Sequence, residues 1–394
     1  MKIAYVTMFD ANDARNWSGL DLHIWKSLEM QGIEIKLIGN LRHGRSLSRR
    51  LRKFWGTRIE RRAFLHFWDT ATARDYAADV ADRLPQTNAD VVLSPSPIPL
   101  AYLKCPQPRV LWTDATFTGL ANFYPEFLPS TVCSASTTSG REIDRLSLDN
   151  CQLSIYSSDW AAQTALVANP RAAQKVHVVP YGANMEALPA DQDIDGILDR
   201  RGNSSIKLLF IGMDWHRKGG DHAVSVATEL SARGLPVELT VVGAPPPPEV
   251  GRLPFVRVAG YLDKSTAEGR TQLSELFRGS HFLILPSLAE CCAVVLSEAC
   301  AFGVPVAATN VGGMGTVIQN GVNGRLFSLN APAAEWADWI ASIAGQPDSY
   351  RQLASTAIET HKDRFNWQAA SASVVSLMQR HLSPVSDAPV TTVA

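Results

Sequence analysis

The chain has 394 residues, 46% of them apolar, and a formal net charge of -1 at pH 7. That length exceeds the roughly 100 to 200 residues usual for one domain, so two domains are expected, each able to bury a core. Near-neutral charge excludes a whole-molecule attraction to nucleic acid or to acidic partners, and only local clusters can supply one. No nucleic-acid partner is expected.

The six cysteines (Cys105, Cys133, Cys151, Cys291, Cys292, Cys300) show no CxxC spacing and no neighbouring histidines. This argues against a zinc site and against a secreted disulfide framework, so no metal is expected and the thiols read as free. No window approaches the ~20 apolar residues of a membrane span, and the N-terminus runs straight into a strand pattern without a signal segment. A cytoplasmic protein is expected.

In chain order, short β-branched runs alternate with longer helical patterns, which predicts α/β architecture with parallel sheets wrapped by helices. Strands are predicted over 2–7, 33–39, 90–95, 109–114, 152–157 and 176–180. After the first of them, Asn16, Trp17, Ser18, Gly19 and Leu20 form a strand-to-helix loop. Residues 42–62 then hold nine basic side chains against the single acid Glu60. Leu47, Leu51, Phe54, Trp55 and Ile59 fall near one face there, so the stretch reads as a basic amphipathic helix. Two readings stand: its apolar face docks on its own domain, or it lies on an anionic membrane surface. Thr113 and Asp114 end the fourth strand. Asp114 either reaches a ligand hydroxyl or caps the following turn.

The polar stretch 184–205, with Asp193, Asp195 and Gly202 and no clear period, reads as the linker. A second series of strands follows over 207–212, 237–242, 256–259, 282–286 and 306–309. Open α/β sheets bind ligands at the carboxyl ends of their strands, so the cleft between the halves is the expected site. Met213 to Gly219 form a tight strand-to-helix loop with adjacent cations Arg217 and Lys218. Gly260, Tyr261 and Leu262 open a loop that either meets a nucleobase or packs as core or lid. Asn320 to Arg325 read as a tight turn with positive φ at glycine. A helix near 367–381 is expected to pack back on the first domain, and 383–394 read as a disordered tail.

The most informative stretch runs from Pro286 to Gly313. A buried strand leads into Pro286 and Ser287, the chain turns at Glu290, and a helix is predicted to start near Cys292. The free N–H groups and positive dipole end of that helix suit a diphosphate. Glu290 stands just before the helix and Glu298 about two turns along it, so both carboxylates face one strand-end crevice. A pair so placed accepts hydrogen bonds from vicinal hydroxyls, one set on a sugar and one on a ribose.

In this setting the Glu290-x7-Glu298 pair resembles the retaining glycosyltransferases of the GT-B fold, group 1 or GT4 type. The resemblance implies two Rossmann-like domains facing each other across a cleft. Residues 1–190 with a helix at about 365–382 would form the acceptor domain, and 191–364 the nucleotide-sugar donor domain. It implies transfer of a hexose from a UDP- or GDP-sugar to a glycan, lipid-linked or small-molecule acceptor, without metal or other cofactor. Lys218 matches the family lysine that neutralises the leaving diphosphate. The family arginine is Met213 here, and Arg217 is either its replacement or a solvated surface residue.

By the same resemblance Glu290 orients the donor sugar, Glu298 holds the ribose, and the amides of Cys292, Ala293 and Val294 contact sugar or phosphate, although Ala293 is usually glycine in relatives. Gly19 would let the backbone approach the donor, Tyr261 and Leu262 would meet the base, and Asp114 would touch donor or acceptor hydroxyls. Gly312 and Gly313 match a paired glycine, but the glutamate common three residues later is Thr316. Relatives that use lipid-linked acceptors favour the membrane reading of 42–62. No G-x-G-x-x-G follows the first strand, which counts against a nicotinamide or flavin enzyme. The alternatives are a nucleotide-sugar epimerase or phosphorylase of the same fold, and a catalytically silent sugar-nucleotide-binding protein.

Overall fold

The structure is a computed structural model that describes residues 1–186, 188–202 and 204–382. The tail expected to be disordered lies outside the described residues. The first sheet contains β1 (Lys2–Val6), β2 (Glu34–Ile38), β3 (Val91–Ser94), β4 (Arg109–Thr113), β5 (Leu153–Tyr156) and β6 (Val176–Val178) in the order β2-β1-β3-β4-β5-β6. The second contains β7 (Ile206–Gly212), β8 (Val237–Gly243), β9 (Val256–Gly260), β10 (Phe282–Leu285), β11 (Val306–Thr309) and β12 (Gly324–Phe327) in the order β12-β11-β10-β7-β8-β9.

Every pair of neighbouring strands is parallel. Parallel strands need crossovers, and the crossover helices cover both sheet faces; this is why Ile3, Ala4, Tyr5 and Val6, like Phe282 to Leu285, are wholly buried. The edge strands β2 and β9 instead expose Glu34, Lys36 and Arg257. Eleven strands fall where the sequence predicts them. The twelfth, β12, follows the predicted turn at Gly321, and its four residues were too few to show a period.

Two segments differ from the sequence reading. The stretch 184–205 is not irregular throughout: it carries the helix Ile194–Arg201, with Ile197, Leu198 and Arg201 buried. The basic segment forms the helix Leu47–Phe54 and a π-helical turn Trp55–Ile59, but its apolar face does not dock on the domain. Leu47, Leu51, Phe54, Trp55 and Ile59 are each more than half exposed, and of the basic side chains Arg49 and Arg52 turn inward. There Arg49 reaches Thr72 and Asp75, and Arg52 grips Asp69 through two hydrogen bonds. Ion pairing to the buried Asp69 and the partly exposed Asp75 fixes the roll of this helix, which hydrophobic periodicity alone could not foresee.

The helix Trp367–Leu382 crosses back to the first sheet and packs on the helix Leu20–Met30. Trp367, Val374 and Met378 enter the core around Trp112 and Tyr181. The Trp367 indole donates to Asn184 Oδ1 at 3.0 Å, and the Asn184 amide donates to Ser18 O at 2.9 Å. These bonds link the end of the chain to the loop that follows β1. Among the described residues no helix is long and apolar enough to cross a membrane, and all six cysteines are free.

Candidate active site

The two sheets present their carboxyl ends to a shared cleft, and a cavity of about 540 Å3 lies there. One wall begins with β7. Its last residue, Gly212, leaves room for the stem of Lys218, whose Cγ would lie 2.7 Å from a Cβ at that position. The loop turns back through Lys218 N donating to Asp214 O at 3.0 Å and Gly220 N to Trp215 O at 2.8 Å. Gly219 is left-handed at φ +76°, and a Cβ there would sit 2.0 Å from Pro286 O. Glycine is therefore required for the loop to lie against the end of β10.

The second wall is the turn after β10. Leu288 N donates to Arg217 O at 2.7 Å, which ties the two loops together. Behind the turn, Gly312 at φ +52° leaves no room for a side chain, since a Cβ would approach Glu290 O to 1.9 Å, and Gly313 N donates to that oxygen at 3.0 Å. The paired glycine seen in the sequence is thus the backbone support of Glu290.

Glu290 is 4% exposed, and its Oε1 accepts from Lys218 Nζ at 2.6 Å, Arg217 Nη1 at 3.2 Å and Ser287 Oγ at 2.9 Å. Arg217 also donates to Ala289 O at 2.9 Å and lies over the Tyr124 ring. It is therefore part of the site, not a solvated surface residue. Met213, which stands at the family's arginine position, lines the cavity but is 65% exposed. Glu298, 1% exposed, receives Lys264 Nζ at 2.5 Å. A carboxylate so buried needs a charged partner, and each glutamate has a lysine.

The helix carrying Glu298 runs over Val294–Ala301, starting two residues later than predicted, and no side chain caps its first turn. Glu298 is accordingly little more than one turn into the helix rather than two. Cys292, Ala293 and Val294 line the cavity at that uncapped end. Burial pushes the Cys292 thiol up to about 12, so it is protonated at neutral pH.

From the first domain, Trp17 and Ser18 line the same cavity. Both are left-handed, at φ 44° and 57°, a backbone strain that the bond from Asn184 to Ser18 O helps to hold. Gly19 borders an adjoining pocket with Asn184 and His23 rather than this cavity. Asp114 is brought in by β4 and accepts from Trp17 Nε1 at 3.2 Å. It is not a helix cap: Thr116 fills that role, accepting from Gly119 N at 2.9 Å. Tyr261 is 60% exposed at the cavity, which overturns the core reading, while Leu262 packs partly into the second core.

Burial pushes the Asp114 carboxyl up to about 6, against the Trp17 hydrogen bond that lowers it. Unfolded aspartate titrates near 3.9, so below that value both states are protonated and the side chain costs nothing. As pH rises toward 6 the unfolded chain ionises first, and stability falls. Asp114→Asn is therefore expected to be more stable than wild type by about 1–3 kcal/mol above pH 6, the gap closing toward pH 4. Urea titrations across that range check it; a gap independent of pH would refute the assignment.

Four residues that sequence reading left without a role act at the site or across the domain boundary. Lys264, three positions after Tyr261, holds Glu298, and Arg15 lines the cavity near Trp17. Tyr124 Oη accepts from Cys291 N at 3.0 Å across the domain boundary. Thr316, noted only as a departure from the family pattern, exchanges hydrogen bonds with Asp159: its Oγ1 accepts from Asp159 N and donates to Asp159 Oδ2, both at 2.9 Å. The loop position of Lys264 was a usable signal. For Tyr124 there was none.

Residues 205–346 match the family described as "Glycosyl transferases group 1". That match lies within the second domain, which is thus similar to the group 1 glycosyltransferases. It is 28% identical over 204 residues to a D-inositol 3-phosphate glycosyltransferase of Rhodococcus erythropolis strain PR4, a match covering 49% of this chain and 46% of that protein. The chain thus spans about half the length of the curated relatives it matches. Among solved structures, a sucrose-phosphate synthase from Thermosynechococcus elongatus superposes with a TM-score of 0.70 at 16% identity, covering 96% of this chain and 98% of the other. HepE from Anabaena, solved with UDP and glucose, gives 0.64 at 17% identity, covering 96% and 100%. At such identities the likeness shows the fold, which is GT-B.

Proposed function

We propose that this chain is a retaining hexosyltransferase of the group 1 type that moves a sugar from a UDP- or GDP-sugar to a glycan, lipid-linked or small-molecule acceptor. The observation that carries the reading is the pair of buried glutamates at one cavity, each neutralised by a lysine, beside an uncapped helix start. A diphosphate is the ligand whose charge exchanges with that arrangement. On its arrival Lys218 and Arg217 turn from Glu290 to phosphate, and the released carboxylate oxygens accept sugar hydroxyls. Lys264 and Glu298 offer the same exchange to the ribose end. The UDP and glucose bound by HepE support a uridine donor, and the inositol phosphate in the relative's name supports a small acceptor.

In the reaction the acceptor hydroxyl oxygen bonds to the anomeric carbon as the carbon–oxygen bond to the diphosphate breaks. The hydroxyl proton passes to the departing phosphate oxygen on the same face, which retains configuration. Lys218 and Arg217 take up the charge that develops on the leaving group, so the reading calls for no metal or organic cofactor. Arg217 supplies a second cation in place of the family arginine, which removes the main motive for a silent binding protein. The six free thiols fit a reducing, cytoplasmic setting.

A melting-temperature screen with UDP, GDP and ADP, followed by the matching sugars, is expected to show one nucleotide raising stability by about 2–3 kcal/mol at a hundredfold excess over Kd. Slow release of free nucleotide diphosphate from the sugar conjugate then separates an enzyme from a binder, and the anomeric coupling of the product decides retention. No shift with any nucleotide would sink the reading. Absorbance from pyridoxal phosphate on the purified protein would favour the phosphorylase.

A further inference from the structure

The helix Leu47–Phe54 and the turn Trp55–Ile59 are built the wrong way round for a soluble domain. Leu47, Leu51, Phe54, Trp55 and Ile59 are 71%, 61%, 59%, 58% and 56% exposed, while Arg49 is only 8% exposed. We propose that this outward face docks on an anionic lipid bilayer.

The segment is not a loose flap that could roll over and bury its hydrocarbon. Arg52 holds Asp69 through bonds of 2.8 and 3.0 Å, and Asp69 is 1% exposed. Arg49 donates to Thr72 at 3.2 Å and to Asp75 at 3.4 Å. At the far end Gly56 packs on Cys133 so closely that a Cβ would lie 2.7 Å from its sulfur. The Glu60 carboxylate accepts from Ser134 N at 2.8 Å and Ser134 Oγ at 2.6 Å. Turning the apolar face inward would break these bonds and strand the buried Asp69 carboxylate.

Charge selects the occupant. Arg45, Arg50, Lys53, Arg58 and Arg61 are exposed and enter no ion pair among the described residues. A nucleic acid or other polyanion would satisfy these cations and leave five large apolar side chains in water. An apolar protein groove would take the side chains and desolvate the cations. A bilayer interface accepts both, with the apolar groups below the headgroup plane and the long basic stems reaching up to phosphates. Both ends of the segment also join cleft-side loops. Asn40 N donates to Phe9 O at 2.8 Å after β1, and Ala63 N donates to Thr131 O at 2.8 Å in the loop that follows Tyr124.

The full-length chain would be sedimented at low salt with phosphatidylcholine vesicles and with vesicles containing phosphatidylglycerol. At least a tenfold preference for the anionic vesicles is expected, falling as salt rises. Leu51→Ser combined with Phe54→Ser and Trp55→Ser should lower partitioning at least tenfold with an unchanged melting temperature, because these side chains already face water. Arg50→Glu with Lys53→Glu and Arg58→Glu should abolish the anionic preference. Equal sedimentation of wild type with both vesicles overturns the proposal. So does wild-type vesicle binding by the apolar variant; retention of that variant on heparin would then mark a polyanion surface instead. None of these readings depends on the proposed sugar transfer.

Discussion

Lys218→Ala and Glu290→Ala are each expected to lower turnover at least ~100-fold, with a larger effect on kcat than on KM. The reasoning is geometric. Lys218 Nζ lies 2.6 Å from Glu290 Oε1, and both groups line the cavity, so the lysine is within reach of any anion that displaces it. Its contribution grows as the leaving group gains charge, because it is needed most when the bond breaks. Donors carrying a less basic leaving group should therefore lose less on Lys218→Ala than the natural diphosphate does. Glu290→Ala removes the group proposed to align the donor sugar and strands two cations, so its fold should be checked by melting before rates are compared. Turnover at wild-type level in both variants would remove these residues from the reaction.

Replacement of Arg201 by methionine should cost about 3–5 kcal/mol. Arg201 is 2% exposed, yet its guanidinium meets no carboxylate among the described residues. It donates to Gly303 O at 2.5 Å, Phe302 O at 2.6 Å, Tyr350 Oη at 2.7 Å and Arg278 O at 3.2 Å. Those carbonyls close the helices Ala267–Gly279 and Val294–Ala301, whose negative dipole ends converge on the one cation. Methionine fills much of the volume but leaves the carbonyls without donors. The helix bearing Glu298 is braced from this end, so weaker nucleotide binding should accompany the lower urea midpoint. A loss under about 1 kcal/mol would mean that water replaces the guanidinium freely.

Some failures of the sequence reading share a cause. Hydrophobic period found the helix at Leu47–Phe54 but left open whether its apolar face turns inward or outward, since a pattern carries no record of the buried Asp69 and the partly exposed Asp75 that draw Arg52 and Arg49 in. Likewise the polar look of 184–205 concealed a helix whose buried residues include the charged Arg201, because that residue's partners lie some 76 to 149 positions away. The Asp114 capping alternative failed for a local reason, as Thr116 sits in better register with the free amide of Gly119.

By itself, the sequence determined the alternation that makes two parallel sheets, the order of their strands along the chain, and the neighbourhood in which Glu290, Glu298 and Lys218 would be found. Those features are local: β-branched runs, glycines that only a tight turn tolerates, and a strand that ends where a helix begins. Tertiary structure alone decided that Arg217 and Lys218 both close on Glu290, that Lys264 answers Glu298, and that Tyr124 and Thr316 tie the domains across the cleft. Burial of a carboxylate demands a partner of opposite charge. Which cation serves is set by how the loops after β7, β9 and β10 converge at one end of the second sheet, and no spacing along the chain encodes that distance.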